Sequence, residues 1–389
     1  MRSRSTRIDR YPAKMVSRLA SALIERFASD AERLADPFCG SGAILTAGKS
    51  AGVASIGGDI NPYAVLLSNV KLAGFDTKEA AVLCSDLCER AITERRVLPI
   101  EWSGKSYWFD SDCLETYERL RYHALELELN ETREGRAVLL ALALSVRICS
   151  KADQRSPKPF ISKMARARHA RPEPLAEIET LLRELSGLYG TISGDRCCAL
   201  LADVVNGEAL VKLFGRVSHV ITSPPYLNAQ DYFRNSKLEL YMLQGIVPFD
   251  LALLRGRFIG TDRALSYTLL SDVGADRRRK LIPQLVKLEA KAPKLGRVVH
   301  RYFHDMQRVC ERIRDCLSPG GTLVMVAGNN LVGGLRIQTW EILNTMIEEM
   351  GFELFDRYGD PISCRSVPPT RLGHKGLIKE EMISAFHRH

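Results

Sequence analysis

The chain has 389 residues, 46% of them hydrophobic, so it can bury a large core as one domain with insertions or as two domains. Its formal charge of +9 suits a polyanionic partner without proving one. No apolar run reaches the length of a membrane span, and no apolar core of a secretory signal follows the basic residues 1–7, so a cytoplasmic location is expected. The ten cysteines form no Cys-x-x-Cys pair, which predicts reduced, mostly buried thiols and indicates no metal site.

The first predicted element is an amphipathic helix, in which apolar residues recur at helical spacing from Val16 to Phe27. Pro12, just before it, is typical of a helix N-terminus, because the first N–H groups of a helix have no partner within the helix and proline lacks this group. Residues 34–72 follow the order strand, loop, helix, strand and helix. This order predicts the opening of a doubly wound α/β sheet.

A glycine-rich loop joins the first of these strands to its helix. Asp36 ends the strand, and Gly40 and Gly42 permit a tight turn and the close approach of a ligand. The loop lacks the Gly-Lys-Ser/Thr of a P-loop and the Gly-x-Gly-x-x-Gly of a dinucleotide site. An acid at this strand end would repel a pyrophosphate but attract an ammonium group, and Asp59, at the end of the second strand, suits a ribose. The pattern favours S-adenosylmethionine over a nucleotide.

From residue 76 to residue 190 the alternation of strands and helices stops. Helices are predicted over 79–95, 113–129, 133–149 and 174–188. A basic segment broken by prolines, residues 151–171, lies between the last two helices and suits either phosphate contact or a solvated charged loop.

The sheet is predicted to resume with a third strand that ends at Asp203. Two acids are candidates for a third cofactor contact, Asp203 and Asp86. We prefer Asp203 because it lies one short helix before the next strand, where a βαβ unit would place it.

That next strand, residues 220–222, runs into Ser223, Pro224, Pro225 and Tyr226. Neither proline donates a backbone hydrogen bond, so the turn is stiff and leaves carbonyl groups unpaired. A hydroxyl, a free carbonyl and an aromatic face together suit gripping a planar ring by its exocyclic amine. The alternative is that the two prolines only end a strand.

A second insertion, residues 245–299, is rich in arginine and lysine. Beyond it, a helix over 300–317, a buried strand over 322–330, a helix over 338–350 and strands over 352–358 and 381–386 complete a sheet of about seven strands. The predicted division of the chain is a cofactor-binding half over 1–75, a helical insertion over 76–190, a catalytic half over 191–244, a basic insertion over 245–299 that is a candidate for target recognition, and the C-terminal part of the core over 300–389.

Two motifs together carry a resemblance to a known family. The run Asp-Pro-Phe-Cys-Gly-Ser-Gly at 36–42 and Thr-Ser-Pro-Pro-Tyr at 222–226 resemble the S-adenosylmethionine-dependent amino-methyltransferases of DNA. The Ser-Pro-Pro-Tyr form is similar to the N4-cytosine branch rather than to the Asp-Pro-Pro-Tyr form common among N6-adenine enzymes. The resemblance spans most of the chain and implies a Rossmann-like methyltransferase sheet carrying helical and basic insertions.

The motifs and the resemblance together assign three groups of residues. The catalytic group is Ser223, Pro224, Pro225 and Tyr226. The cofactor group is Tyr11, Pro12, Ala13, Lys14, Asp36, Pro37, Phe38, Cys39, Gly40, Ser41, Gly42, Asp59, Ile60, Asn61, Asp203 and Thr222. The DNA group is Lys151, Arg155, Lys158, Lys163, Asn228, Asp231, Arg234, Arg277, Arg278 and Arg279.

The resemblance implies transfer of a methyl group to the N4 amine of a flipped cytosine in double-stranded DNA, with S-adenosylhomocysteine as the product. It also implies a use in self-marking or restriction-modification, with a cognate restriction endonuclease as a functional partner. Three alternatives stay open: N6 methylation of adenine, methylation of RNA or of a protein amine, and a nucleic-acid-binding protein that has lost its cofactor.

Overall fold

The computed structural model describes residues 8, 11, 15–154, 158–166, 171–194, 196–227, 232–260, 274–362 and 380–389. Its strands are β1 Leu34–Asp36, β2 Ser55–Asp59, β3 Cys197–Leu201, β4 Val217–Thr222, β5 Leu317–Ala327, β6 Asn330–Val332, β7 Leu335–Ile337, β8 Phe352–Pro361 and β9 Glu380–Arg388. Its helices span Ser17–Phe27, Ala43–Ser50, Pro62–Ala73, Thr77–Thr93, Lys105–Trp108, Ser111–Glu126, Arg133–Cys149, Lys163–Arg166, Pro174–Tyr189, Leu210–Phe214, Tyr232–Asn235, Lys237–Leu243, Leu251–Arg257, Ala275–Leu281, Pro283–Lys291, Pro293–Cys316 and Thr339–Glu348.

Seven of the strands form one sheet in the order β3-β2-β1-β4-β5-β9-β8. The first five are parallel to their neighbours, and β9 runs antiparallel to both β5 and β8. The predicted α/β fold with a doubly wound sheet of about seven strands is therefore confirmed. The two remaining strands, β6 and β7, form a separate hairpin that the sequence pattern did not predict.

The carboxyl ends of the parallel strands share one edge of the sheet. Asp36 and Asp59 are the last residues of β1 and β2, and Thr222 is the last residue of β4. In an open α/β sheet, ligands bind outside these carboxyl ends. Because β9 is antiparallel to β5, its first residues, Glu380 and Glu381, start at this same edge.

The helices predicted between 76 and 190 pack around a core of their own. The central helix, Arg133–Cys149, is rich in alanine and leucine, and most of its residues are buried because other helices surround it. Helix Pro62–Ala73 contributes Tyr63 and Leu67 to this core and also lies next to the sheet, so it links the helical region to the cofactor half.

The cysteines in the described residues are free thiols, and most of them are buried. Among the described helices, none combines the length and the apolar composition that crossing a membrane requires.

One buried glycine in β2 allows the first loop to pack directly against the sheet. A Cβ atom at Gly57 would lie 2.6 Å from both Cys39 Cβ and Leu45 Cδ1. We therefore expect Gly57→Ala to lower the free energy of unfolding by about 1–3 kcal/mol, measured by denaturant titration.

The matched control is Gly187→Ala on the surface of helix Pro174–Tyr189, where an added Cβ meets no atom within 4 Å. This control is expected to keep or slightly raise stability because alanine favours helix. Equal stability of Gly57→Ala and the wild type would contradict the packing described for Gly57.

Candidate active site

A cleft opens at the carboxyl edge of the sheet and encloses about 820 Å³, including space open to solvent. Its walls come from the first loop, from the ends of β2, β3 and β4, from the N-terminal segment and from the second insertion. The lining residues are Tyr11, Met15, Asp36, Pro37, Phe38, Cys39, Gly40, Ser41, Ala43, Ile44, Asp59, Ile60, Ala202, Asp203, Val204, Val205, Ser223, Pro225, Tyr232, Arg257, Phe258 and Ile259.

Gly40 is the point at which the first loop turns into the cleft. Its φ of +50° is a conformation that favours glycine, and an added Cβ would lie 3.0 Å from Tyr11 Cε1. The Gly40 N–H donates to Asp59 Oδ2 at 2.9 Å, and the Cys39 N–H donates to the Gly58 carbonyl at 3.0 Å. The loop is thus tied to β2 while the Tyr11 ring covers it from the other side.

Asp59 is both an anchor of this loop and part of the cleft wall. Its second oxygen, Oδ1, accepts the Asn61 N–H at 2.8 Å. Burial raises the pKa of the Asp59 carboxyl to about 6, although these backbone hydrogen bonds act in the opposite direction. Each oxygen keeps a further lone pair that a ligand hydroxyl can use.

Asp36 lies beside Asp59 and is almost fully buried. The Thr222 hydroxyl donates to Asp36 Oδ1 at 2.6 Å, and the Phe38 N–H donates to the same oxygen at 3.1 Å. Burial raises the pKa of Asp36 to about 7, and the nearby Asp59 charge adds to the shift, against these two hydrogen bonds. A cationic group bound here would favour the ionised carboxylates.

Ser41 supplies an unused polar atom on the same wall. Its side chain is 3% exposed, and its hydroxyl has no hydrogen-bond partner among the described residues. Buried hydroxyl groups normally have a partner, so this atom is available to a polar ligand in the cleft. The Ser41 carbonyl is already engaged, because it accepts from Lys71 Nζ at 2.9 Å.

Asp203 lines the cleft at the end of β3. Its Oδ1 accepts from the Val205 and Asn206 N–H groups at 3.0 and 2.9 Å, and its Oδ2 lies 3.6 Å from Arg257 Nη1. Its rival Asp86 lies on helix Thr77–Thr93, where it pairs with Arg90 at 2.8 Å, and it does not line the cleft. Of these two acids, Asp203 is therefore the one that lines the cleft.

Three predicted cofactor residues lie behind the wall of the cleft. Gly42 caps helix Ala43–Ser50 with a φ of +76°, and Thr222 is buried with its hydroxyl on Asp36. Asn61 is also fully buried: its Oδ1 accepts the Tyr63 N–H at 3.1 Å and its Nδ2 donates to Ser236 Oγ at 3.1 Å. These three residues support the cleft rather than line it. Pro12, Ala13 and Lys14 lie outside the described residues.

The predicted catalytic turn, residues 223–226, meets the same cleft. Ser223 and Pro225 line it, whereas Pro224 is buried. Tyr226 is half-buried next to the lining, and its hydroxyl donates to Glu381. The predicted catalytic turn and the predicted cofactor loop therefore belong to one site.

Some lining residues carried no motif that could have identified them. Arg257, Phe258 and Ile259 belong to the second insertion, which the sequence assigned to DNA contact. Gly260, directly after them, packs so closely that an added Cβ would lie 2.8 Å from the Tyr226 carbonyl oxygen. The start of this insertion thus forms a wall of the cleft.

The structure corrects part of the predicted DNA group. Arg278 is 3% exposed and donates to His300 Nδ1 at 3.4 Å, so its guanidinium is not available to a phosphate. Arg277 pairs with Glu349, and Arg279 donates to Glu289 and Asp276. Arg277 and Arg278 thus contact residues outside the second insertion, whereas both partners of Arg279 lie within it.

The remaining members of the DNA group differ in exposure. Lys151 pairs with Asp110 at 3.0 Å and donates to the Phe109 carbonyl at 3.0 Å, which indicates a structural role. Lys158, Lys163 and Arg234 are exposed. Arg155, Asn228 and Asp231 lie outside the described residues.

The structure brings together one group of possible metal ligands that contains no cysteine, so the cysteine spacing could not have indicated it. Ligand atoms of Glu94, His123 and Glu126 lie within 4.8 Å of one another in the helical region. Glu126 also lies 3.8 Å from Arg90 Nη1 and 3.4 Å from Arg96 Nη1. Because these two arginines already neutralise its charge, we assign no metal to this group.

The Thr222 hydroxyl stabilises the ionised form of Asp36. We expect Thr222→Val to raise the pKa of Asp36 above its value of about 7, because the buried carboxylate loses a donor while its desolvation is unchanged. The measurement is a carboxyl ¹³C titration by NMR, with Asp36→Asn to assign the signal.

Thr93→Val makes the same chemical change on helix Thr77–Thr93, where the hydroxyl donates to the Glu89 carbonyl. It should leave the Asp36 titration unchanged. A Thr222→Val protein whose Asp36 titrates at the wild-type position would contradict the role assigned to this hydrogen bond.

Comparison with known proteins gives matches over parts of the sequence. A family model described as UPF0020, an RMKL-like methyltransferase domain, matches residues 4–97. The type II methyltransferase M.MvaI of Kocuria varians is 29% identical over 124 residues, which cover 28% of this chain and 27% of that protein. The type II methyltransferase M.AvaI of Nostoc sp. is 28% identical over 148 residues, 35% of this chain and 30% of that protein.

Among solved structures, the rRNA methyltransferase aviRa from Streptomyces viridochromogenes aligns over 99% of this chain and 94% of its own, with 10% identity and a TM-score of 0.30. The matches to M.MvaI and M.AvaI span less than a third of the length of either protein. The resemblance to methyltransferases that the motifs predicted is thus confirmed, at low identity and over part of the chain.

Proposed function

We propose that this chain is an S-adenosylmethionine-dependent DNA methyltransferase that methylates the exocyclic N4 amine of a cytosine. The observation that carries this proposal is the single cleft in which the acidic first loop faces Ser223 and Pro225. A methyl donor and an acceptor must meet in one place, because proximity and orientation supply much of the rate in an in-line transfer.

The residues of the cleft fit the parts of this cofactor. Asp59 suits the ribose hydroxyls, Asp203 suits the adenine amine, and Asp36 suits the ammonium of the methionine end. The unpartnered Ser41 hydroxyl offers one further polar contact. When bound, the cofactor supplies a methyl group activated by its sulfonium. Two buried acids on one wall favour this cationic cofactor over a phosphate-bearing one.

The catalytic turn acts on the amine of the acceptor base. This amine is a weak nucleophile because its lone pair is delocalised into the ring. The Ser223 hydroxyl and the Pro224 carbonyl accept its hydrogen bonds, draw electron density toward the nitrogen and let it become pyramidal. Tyr226 stacks on the base. The base must leave the duplex to reach this turn, at a cost of a few kcal/mol that protein contacts offset.

We assign cytosine as the acceptor base because the Ser-Pro-Pro-Tyr form of the turn resembles that of the N4-cytosine branch. The same turn can hold the N6 amine of adenine, which is also attached to an amidine-like ring, so adenine is the alternative acceptor. The names of M.MvaI and M.AvaI support a modification role of the type II class, with a cognate restriction endonuclease as the functional partner.

A cluster of cations next to the cleft supports a nucleic-acid substrate. Burial lowers the pKa of Lys237, and the nearby charges of Arg255 and Arg234 lower it further. Lys237 and Arg234 extend from the helices that follow Tyr232, a lining residue, and Arg255 belongs to the helix that ends at Arg257. Three positive charges that repel one another suit an anion such as a DNA phosphate.

Methyl transfer is tested with radiolabelled S-adenosylmethionine and mixed-sequence duplex DNA, followed by nucleoside digestion and mass spectrometry. The expected product is N4-methyl-2′-deoxycytidine. N6-methyladenine would change the acceptor base and keep the mechanism, whereas label absent from DNA would contradict the proposal.

Ser223→Ala tests the catalytic turn in the same assay. Loss of one acceptor at the reacting amine is expected to lower the transfer rate by about 10²–10³-fold. Binding of S-adenosylhomocysteine, followed by calorimetry, should persist. A rate close to the wild type would remove Ser223 from the catalytic group.

The cation cluster predicts a change in salt dependence. In Lys237→Ala and Arg255→Ala, DNA affinity should fall, and the slope of log affinity against log salt should decrease by about 0.9 for each phosphate that the variant no longer neutralises. Fluorescence anisotropy with a labelled duplex measures both. Lys78→Ala, at an exposed position of helix Thr77–Thr93, is the control and should keep the wild-type slope. Equal slopes for all four proteins would rule out this cluster as a DNA-binding surface.

A further inference from the structure

Tyr226 is held at two points. At its backbone, the carbonyl oxygen packs against Gly260, whose φ of +74° and lack of a Cβ allow the close approach. At the far end of its side chain, the hydroxyl donates to Glu381. A tyrosine fixed at both ends cannot freely change the plane of its ring, whereas a tyrosine held only by its backbone can rotate about two side-chain bonds.

The topology of the sheet explains how Glu381 reaches Tyr226 although 155 positions separate them in the chain. Met382 pairs with Ala327, the last residue of β5, so Glu381 lies just past the carboxyl end of that strand. Thr222 pairs with Met325 of the same strand, and the catalytic turn begins directly after Thr222. The antiparallel strand β9 therefore delivers an acid to the edge where the turn is located.

The chemistry of the pair suits a fixed hydrogen bond. Glu381 is half-buried, and burial raises the pKa of its carboxyl. A partly desolvated carboxylate is a strong acceptor for a phenol, because a hydrogen bond to an ionised group is shorter and stronger than one between neutral groups. Its neighbour Glu380 is exposed.

We propose that Glu381 is a positioning residue for methyl transfer: through the Tyr226 hydroxyl it fixes the plane in which the Tyr226 ring stacks on the acceptor base. This inference rests on the proposed function, since it requires a base stacked on Tyr226. Glu381 itself does not touch the reacting amine. It limits the orientations of the base, and misorientation of a reacting group lowers the rate of transfer without preventing cofactor binding.

The test compares single-turnover methyl transfer in Glu381→Ala, Tyr226→Phe and the double variant. Removal of one hydrogen bond that orients the ring is expected to slow transfer about tenfold in each single variant. The double variant should also be about tenfold slower, because both changes remove the same hydrogen bond. Glu381→Gln keeps an acceptor oxygen and should restore most of the rate.

Two further measurements separate positioning from a general structural role. All variants should keep wild-type affinity for S-adenosylhomocysteine and wild-type thermal stability, and the neighbouring control Glu380→Ala should keep the wild-type rate. Rates of Glu381→Ala and Tyr226→Phe that multiply to about a hundredfold in the double variant would overturn the inference. So would a Glu381→Ala protein as fast as the wild type.

These outcomes are distinct from failure of the proposed function. A wild-type protein that transfers no methyl group to DNA overturns the proposed function and this role together. An active wild type with an equally active Glu381→Ala variant overturns only the role of Glu381.

Discussion

The hydrogen bond from the Gly40 N–H to the Asp59 carboxylate is the interaction on which the geometry of the cleft depends. It joins the first loop to the end of the second strand, and the conformation of Gly40 leaves room for the Tyr11 ring on the opposite side. The bond also keeps a buried acid oriented at the cleft wall. With Asp36 beside it, this arrangement holds two buried carboxyl groups whose pKa values are raised because burial disfavours their charged forms. A cationic ligand is the natural complement of such a wall.

The rest of the site is assembled from distant segments of the chain. The parallel strands bring Asp36, Asp59 and Ser223 to one edge, as open α/β sheets do. The antiparallel strand β9 brings Glu381 to the same edge, and the second insertion returns to close the cleft with Arg257 to Ile259. The first part of the second insertion therefore forms a wall of the cleft, and its later helices carry ion pairs.

Local chemistry made the core of the site predictable from sequence. Short apolar strands that end in an acid or in Ser-Pro-Pro-Tyr place those residues at the carboxyl edge of a parallel sheet. Helical periodicity located the helices between residues 76 and 190. The run Arg277 to Arg279 shows the limit of this reasoning. A charge run suggests an exposed face, but helix Ala275–Leu281 turns Arg278 inward toward His300 on the following long helix. Interactions between separate elements, such as Tyr226 with Glu381, leave no local pattern in the sequence.

A crystal structure of the protein with S-adenosylhomocysteine would test most directly whether cofactor and acceptor share one site. We expect the ribose hydroxyls on Asp59, the adenine amine at Asp203, the ammonium group at Asp36, and the sulfur facing Ser223. A ligand bound outside this cleft, or bound with its sulfur turned away from the catalytic turn, would contradict the claim that cofactor and acceptor share one site.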